Sequence, residues 1–393
     1  MRKLKRLADL DVAGKRVLVR VDFNVPLDDQ GRVTSDARIT AALPTLQAIL
    51  ARGGRPILMS HLGRPKGKVV ELMRMKPVAA RLAELLGREV RTADDCIGPA
   101  VEAASRALPE GACLLLENLR FHPEEEAGDE QFAAALARLG DVYVNDAFGT
   151  AHRPHASVYG VAKLLPAAAG LLMEKEIDAF DRLLQDPARP FVAILGGAKV
   201  SDKLPVIENL LRRVDGLILG GAMAYTFLAQ RGVAIGKSRC EPDLFAEAAR
   251  VERAAQERKV ELLLPVDHVC AAELEADAPA SVHGPAIPEG LMGLDIGPAS
   301  IERFVRAIAG AKTIVWNGPM GVFEIEQFRR GTEAVARAVA EASAWTVVGG
   351  GDSVAAVELL GVADRIDHVS TGGGASLELL EGRELPGVEA LRA

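Results

Sequence analysis

Residues 166–187 read PAAAGLLMEKEIDAFDRLLQDP, and how this stretch folds decides how the rest of the chain divides. Leu172, Ile177, Phe180 and Leu184 recur close to helical spacing, while Glu174, Lys175 and Glu176 point the other way. Pro166 stands where a helix can start and Pro187 where one stops. The pattern predicts one helix of about 20 residues, roughly 30 Å long at ~1.5 Å per residue. Before it, strand ends carry arginine and histidine; after it, they carry glycine. A crossover helix within one large domain also fits the periodicity. The change in composition favours a connector between two domains with different ligands.

A chain of 393 residues exceeds the usual single-domain size, so two domains are expected. Half of it is apolar, enough for two cores, and the net charge of −7 argues against a nucleic-acid partner. Cys96, Cys113, Cys240 and Cys270 are far apart and show no ligand-like pairing, which points to a reducing compartment and no structural zinc. The basic N-terminal stretch lacks the apolar core of a signal peptide, and no apolar run has the length of a membrane span. The expected location is the cytoplasm.

Working outward on the N-terminal side, apolar strands alternate with helices. Residues 16–21 (RVLVRV) run into Asp22, Phe23 and Asn24, and residues 55–60 (RPILMS) end in His61, Leu62, Gly63 and Arg64. Residues 113–117 (CLLLE) lead to Arg120, and a strand over 141–144 leads to His152, Arg153 and His155. Alternation of this kind predicts a doubly wound, mostly parallel sheet, whose ligands bind beyond the carboxyl ends of the strands. Arg38 opens the first helical run and can reach the same face. So many cations at one sheet end require an anion, and arginine's planar fork suits carboxylate and phosphate. Asp22 and Asn24 are the polar exceptions, suited to a substrate hydroxyl. The three histidines lack metal-ligand spacing.

The C-terminal side repeats the grammar with different chemistry. FVAIL (191–195) is followed at once by GGAKVSDK, GLIL (216–219) by Gly220-Gly221, TIVW (313–316) by NGPMGVFE, and a later strand by Gly349-Gly350-Gly351-Asp352-Ser353. The strand ELLLPVDHV (261–269) precedes a polar excursion over 272–288 and a turn-rich stretch over 290–298. Glycine between strand and helix lets phosphate approach backbone N–H groups at the positive helix end. Asp352 either caps that helix or holds Mg²⁺ against phosphates. Lys199 and Lys203, four apart, are read as sharing a helix face with an anion between them. Residues 232–238 (GVAIGKS) are one residue short of a P-loop and follow a helix, and no GxGxxG opens either half. Phosphoryl transfer between a nucleotide and a small anion is the economical reading. A dinucleotide-dependent oxidoreductase and a non-catalytic metabolite-binding protein remain as alternatives from the residues alone.

The ordered motifs RVDFNVP at Arg20, HLGRP at His61, ENLRF at Glu117, DAFGTAHR at Asp146, GGAKVSDK at Gly196, WNGPMGVFE at Trp316, GGGDS at Gly349 and STGGGAS at Ser370 resemble those of the phosphoglycerate kinase family along essentially the whole chain. The resemblance implies two doubly wound α/β (Rossmann-like) domains joined by a connector helix, with a ligand cleft between them. It implies reversible, Mg²⁺-dependent transfer from 1,3-bisphosphoglycerate to ADP, giving 3-phosphoglycerate and ATP, in a monomer that closes by hinge bending. The domains are expected at 1–166, the connecting helix at 167–186, a nucleotide domain at 187–376, and a tail, 377–393, returning to the N-terminal domain. By resemblance, Asp22, Phe23, Asn24, Arg38, His61, Leu62, Gly63, Arg64, Arg120 and Arg153 bind 3-phosphoglycerate. Lys203, Gly293, Glu324, Gly350, Gly351, Asp352 and Ser353 bind the nucleotide, and Asp352 also contacts the metal. Arg38, Lys199, Lys203 and Gly373 are implied to act on the moving phosphoryl group. Pro154 departs from the family pattern, where alanine is expected.

Overall fold

Alternating strands and helices, read as two doubly wound sheets, fold as two compact units in a computed structural model that describes residues 3–392. One unit comprises Met1–Asp178 and Glu384–Ala393, the other Ala179–Arg383.

In the first unit the strands are β1 (Arg16–Arg20), β2 (Arg55–Met59), β3 (Val90–Thr92), β4 (Cys113–Leu115), β5 (Val142–Asn145) and β6 (Ala167–Ala169). They form a parallel sheet in the order β3-β4-β2-β1-β5-β6. Val17 and Val19 pack on one face with Ile39, Leu46 and Ile49 of helix Ala37–Ala51 and Val78 and Leu82 of helix Lys76–Leu86. The alternate residues Leu18, Ile57, Leu114 and Tyr143 are equally buried, so both faces are covered. Connections leave β1 toward β2 on one side while β5 lies on its other side, which makes the end of β1 a switch point.

In the second unit the strands are β7 (Phe191–Leu195), β8 (Gly216–Leu219), β9 (Glu261–Leu263), β10 (His268–Ala271), β11 (Ser281–His283), β12 (Met292–Ile296), β13 (Thr313–Asn317), β14 (Trp345–Val348) and β15 (His368–Val369). The main sheet is parallel, in the order β15-β14-β13-β7-β8-β9, with its switch point at β7. A small antiparallel sheet, β11-β10-β12, accompanies it. Residues 261–269 are therefore two strands, and the turn-rich stretch over 290–298 contains a third, β12. Of these short strands, β9 is the edge of the main sheet beside β8, whereas β10 and β12 pair with each other outside it, so none carries the long apolar run that marks a central strand.

The connector differs from its sequence reading at its start. The helix spans Leu171–Gln185, not 167–186, and Ala167–Ala169 form the edge strand β6. Alanine favours helix, but pairing overrides that preference. Tyr143, Val144 and Asn145 pair with these three alanines, and Ala169 N–H donates to Lys5 O at 2.9 Å on the other side. Their small side chains are buried there. The unit boundary falls within the helix, between Asp178 and Ala179. The second boundary lies at Arg383/Glu384, not at 376/377, because helix Gly374–Leu380 stays with the second unit. Leu380 is buried and its carbonyl accepts Asn209 Nδ2–H at 2.8 Å. The tail packs on the first unit, with Gly387 N–H donating to Ala151 O at 2.8 Å. Among the described residues no helix is long and apolar enough to cross a membrane.

Candidate functional site

At the end of β1 the chain turns from apolar to charged, and the polar groups of four strand ends meet there. Asp22 pairs with Arg38 and lies 3.9 Å from His61 Nδ1. Asn24 Oδ1 accepts Gly63 N–H at 2.8 Å, tying the first loop to the second. Asn118 holds the turn by accepting Leu62 N–H at 3.1 Å and Arg120 N–H at 3.1 Å. Arg120 Nη1 donates to Gly63 O at 2.9 Å and pairs with Glu126 at 3.1 Å. Arg153 meets His152 at 3.2 Å. Arg38 and Arg64 are exposed, whereas Arg120 and His61 are buried. Phe23 and Leu62 bury their side chains in the core, so only their backbone can face a ligand.

Burial, then the neighbouring Arg20, Arg120 and Arg38, hold the His61 pKa well below the ordinary histidine value. Burial first, then Arg20, Arg120 and Arg153, push His155 down to about 3. Burial also lowers Arg120, with Glu126 opposing it. Both histidines are therefore neutral at physiological pH, and the positive charge of this cluster is carried by arginines. Behind them lie Arg20, Ser157 and Glu125, all fully buried and none anticipated from sequence as site residues. Arg20 carried a signal, being a charged residue inside an apolar strand. Glu125 and Ser157 carried none, because they join Arg20 across 105 and 137 residues.

In the second unit two cavities adjoin. One, about 420 Å³, is lined by Lys199, Lys203, Asn317, Gly350, Gly351, Asp352, Ser353 and Gly373. The other, about 340 Å³, is lined by Tyr225, Arg239, Gly293, Asp295, Glu324 and Asp352. They share Gly197, Ala198 and Asp352. Every residue of this unit expected from sequence to face the nucleotide or the phosphoryl group lines one of the two.

Lys203 donates to Asn317 Oδ1, and Asn317 Nδ2–H donates in turn to Gly349 O at 2.8 Å. Burial lowers the Lys203 pKa, while Asp352 and Asp202 pull it back up. Gly350 has φ +92°, and a Cβ there would come within 2.6 Å of Asn317 Nδ2. Lys199 and Lys203 do not share a helix face, since the helix begins only at Leu204. Proline at the second helical position sets that start, and the lysines lie on the loop before it. Glu241 holds this loop, accepting Val200 N–H at 2.6 Å, Ser201 N–H at 3.1 Å and the Ser201 hydroxyl at 2.6 Å. Asn317, Glu241, Tyr225 and Asp295 were not anticipated as site residues. Of these, only Asn317 carried a signal, as the polar residue closing an apolar strand.

Asp352 does not cap its helix, because the cap position is Gly350 and the helix runs over Gly351–Leu359. Its carboxylate is exposed on the first turn, where both cavities meet. One carboxylate beside a cavity lined by glycines and two lysines fits Mg²⁺, which keeps several waters and takes few protein ligands. Elsewhere, one cysteine does have ligand-type neighbours, contrary to the sequence reading. Asp95, Cys96 and His122 place ligand atoms within 4.8 Å of one another. Asp95 Oδ1 already takes Cys96 N–H at 2.7 Å and stands 2.6 Å from His122 Nε2, so hydrogen bonds account for the group.

A family model described as phosphoglycerate kinase matches residues 7–383. A Moorella thermoacetica protein named phosphoglycerate kinase is 61% identical over 386 residues, covering 98% of each chain. One from Anaeromyxobacter dehalogenans is 58% identical over 391 residues, covering 98% of this chain and 99% of its own. The solved structure of phosphoglycerate kinase from Coxiella burnetii superposes with a TM-score of 0.91 at 41% identity, covering 99% of both chains. That from Pyrococcus horikoshii gives 0.83 at 34% identity, covering 99% of this chain and 98% of its own.

Proposed function

The chain belongs to the phosphoglycerate kinase family, and we propose that its two units divide the reaction, the first holding the three-carbon acid and the second the nucleotide. The activity is reversible phosphoryl transfer from the acyl phosphate of 1,3-bisphosphoglycerate to ADP, giving 3-phosphoglycerate and ATP. What supports the division is the convergence of Lys199, Lys203 and Gly350–Ser353 on one cavity, while the arginine cluster gathers around Asp22 and Asn24.

In this reading Arg38, Arg64, Arg120, Arg153 and His61 hold the carboxylate and phosphate of 3-phosphoglycerate, with Asp22 and Asn24 placed for its hydroxyl. Phe23, Leu62 and Gly63 offer backbone only. Gly293 and Glu324 face the nucleoside end of the second site, and Lys203 and Gly350–Ser353 face the phosphates. Asp352 would hold Mg²⁺, which when bound neutralises charge on the phosphate oxygens. The nucleophile in the ATP-consuming direction is a carboxylate, ionised at neutral pH, so the chain needs no general base. Catalysis then rests on position and charge. Arg38, Lys199, Lys203 and the helix start at Gly373–Gly374 supply positive potential to the three equatorial oxygens of the transferring group.

In-line transfer needs reacting atoms about 3–3.5 Å apart. Because different units hold the two ligands, we infer a closing motion about helix Leu171–Gln185, within which the unit boundary falls. Compaction seen by X-ray scattering with both ligands bound is the expected sign. We take the working form to be a cytoplasmic monomer, for which light scattering on a sizing column gives the mass. The central test is a coupled assay with 3-phosphoglycerate and MgATP. Folded protein that forms no acyl phosphate would sink the assignment.

A further inference from the structure

We propose that Glu125 and Ser157 are positioning residues that act through Arg20 to fix His61 as the neutral imidazole with its proton on Nε2. The inference rests on the reading above that His61 faces 3-phosphoglycerate.

The direction of each hydrogen bond carries the argument. Glu125, on helix Pro123–Ala127, accepts Ser157 N–H at 2.9 Å and the Ser157 hydroxyl at 2.5 Å. The only proton on Ser157 Oγ is thereby used, so Oγ is an acceptor toward Arg20 Nε–H at 2.9 Å. Arg20 Nη1 donates to Val21 O at 2.5 Å, which fixes the plane of the guanidinium. Its Nη2 then lies 3.2 Å from His61 Nδ1. A guanidinium has donors only, so Nδ1 must present its lone pair. A proton on Nδ1 would set N–H against N–H. The remaining nitrogen, Nε2, therefore carries the hydrogen.

The surroundings support the same state. Burial first, and then the guanidinium charges of Arg20, Arg120 and Arg38, oppose a charge on His61. Asp22, 3.9 Å away, is the carboxylate on the other side and is itself paired with Arg38. Tyr143 Oη donates to Ser157 O at 2.8 Å and clamps the residue that relays the bond. Glu125, Ser157 and Arg20 have no exposed surface, so none can touch a substrate. Their effect reaches the pocket only through the ring they orient. A pocket of arginines thereby gains one neutral N–H donor that neither adds repulsion nor titrates in the working range.

Selective ¹⁵N-histidine labelling of the whole chain tests this, with the His61 signals identified by their loss in His61→Asn. The Nε2–H tautomer is expected at about pH 7 and unchanged to about pH 5.5. Ser157→Ala is expected to give a mixture of tautomers and a KM for 3-phosphoglycerate raised about fivefold, with kcat within about twofold. Ser157→Thr, which keeps the hydroxyl, should restore both. A wild-type ring protonated on Nδ1, or charged at neutral pH, overturns the proposal. A folded Ser157→Ala protein with the wild-type spectrum also overturns it. The Nε2–H tautomer together with an unchanged KM in His61→Asn would uphold the lock and overturn His61 as a ligand.

Discussion

Asp146 Oδ1 accepts the backbone N–H of Leu172 at 2.9 Å. The carboxylate that ends β5 thus caps the helix that crosses the unit boundary, and it takes Met173 N–H at 3.3 Å as well. Gly170 lies so close that a Cβ there would come within 2.2 Å of the same oxygen. DAFGTAHR, one of the stretches on which the family resemblance rests, begins with this residue, so Asp146 joins the Arg153 loop to the start of the helix.

Removing the cap should loosen that joint. Asp146→Ala is expected to lower stability by about 0.5–2 kcal/mol, the usual range for a lost N-cap. Urea unfolding monitored by circular dichroism measures it.

The same carboxyl makes stability depend on pH. Burial raises its pKa from an ordinary 3.8 to about 6. The folded state then binds the proton more tightly than the unfolded chain, so this contribution is complete below pH 3.8 and lost as pH rises through 6. The full span is on the order of 3 kcal/mol at ~1.4 kcal/mol per pKa unit. Wild type should therefore gain stability relative to Asp146→Asn as pH falls from about 7 to 4. A stability difference independent of pH would show that Asp146 titrates normally.

Gly350→Ala should disturb the nucleotide side alone. The new methyl strains a positive-φ residue and presses on Asn317, which in turn holds Lys203. A KM for MgATP raised about tenfold, equivalent to ~1.4 kcal/mol, is expected with little change for 3-phosphoglycerate. Steady-state kinetics with each substrate varied separates the two.

Arg38→Ala is expected to lower kcat at least ~10²-fold, the scale for losing one preorganised donor at developing charge. Because Arg38 also neutralises Asp22, Arg38→Lys should recover only part of the loss. Near-normal turnover in the alanine variant would remove Arg38 from the transition state.

Asp352→Ala should shift the Mg²⁺ titration of activity to higher concentration, with 3-phosphoglycerate binding unaffected. An unchanged titration would remove Asp352 as a ligand to the metal.

Much of the site was legible because parallel α/β sheets place their chemistry at strand ends, and strand ends can be read from where an apolar run stops. His61 and Asp352 lie just past such a stop, and Arg120 and Lys203 lie in the segments that follow one. What stayed hidden was the support behind them. Glu241 holds the lysine loop from 40 residues away, and Glu125 reaches Ser157 across 32. Neither sits in a pattern that periodicity detects.

From the sequence alone came two alternating α/β halves, an anion-gathering end in one, glycine loops in the other and a helix between them. Those features depend on neighbours a few residues apart, through helical and strand periodicity and through what a glycine or proline permits its own backbone. Tertiary structure alone decided that Ala167–Ala169 would be a strand, that Asp146 would cap the helix, and that Arg20 would face His61. Each of those outcomes is a hydrogen bond between groups distant in the chain, and burial makes leaving such a group unpaired more costly than overriding a local preference.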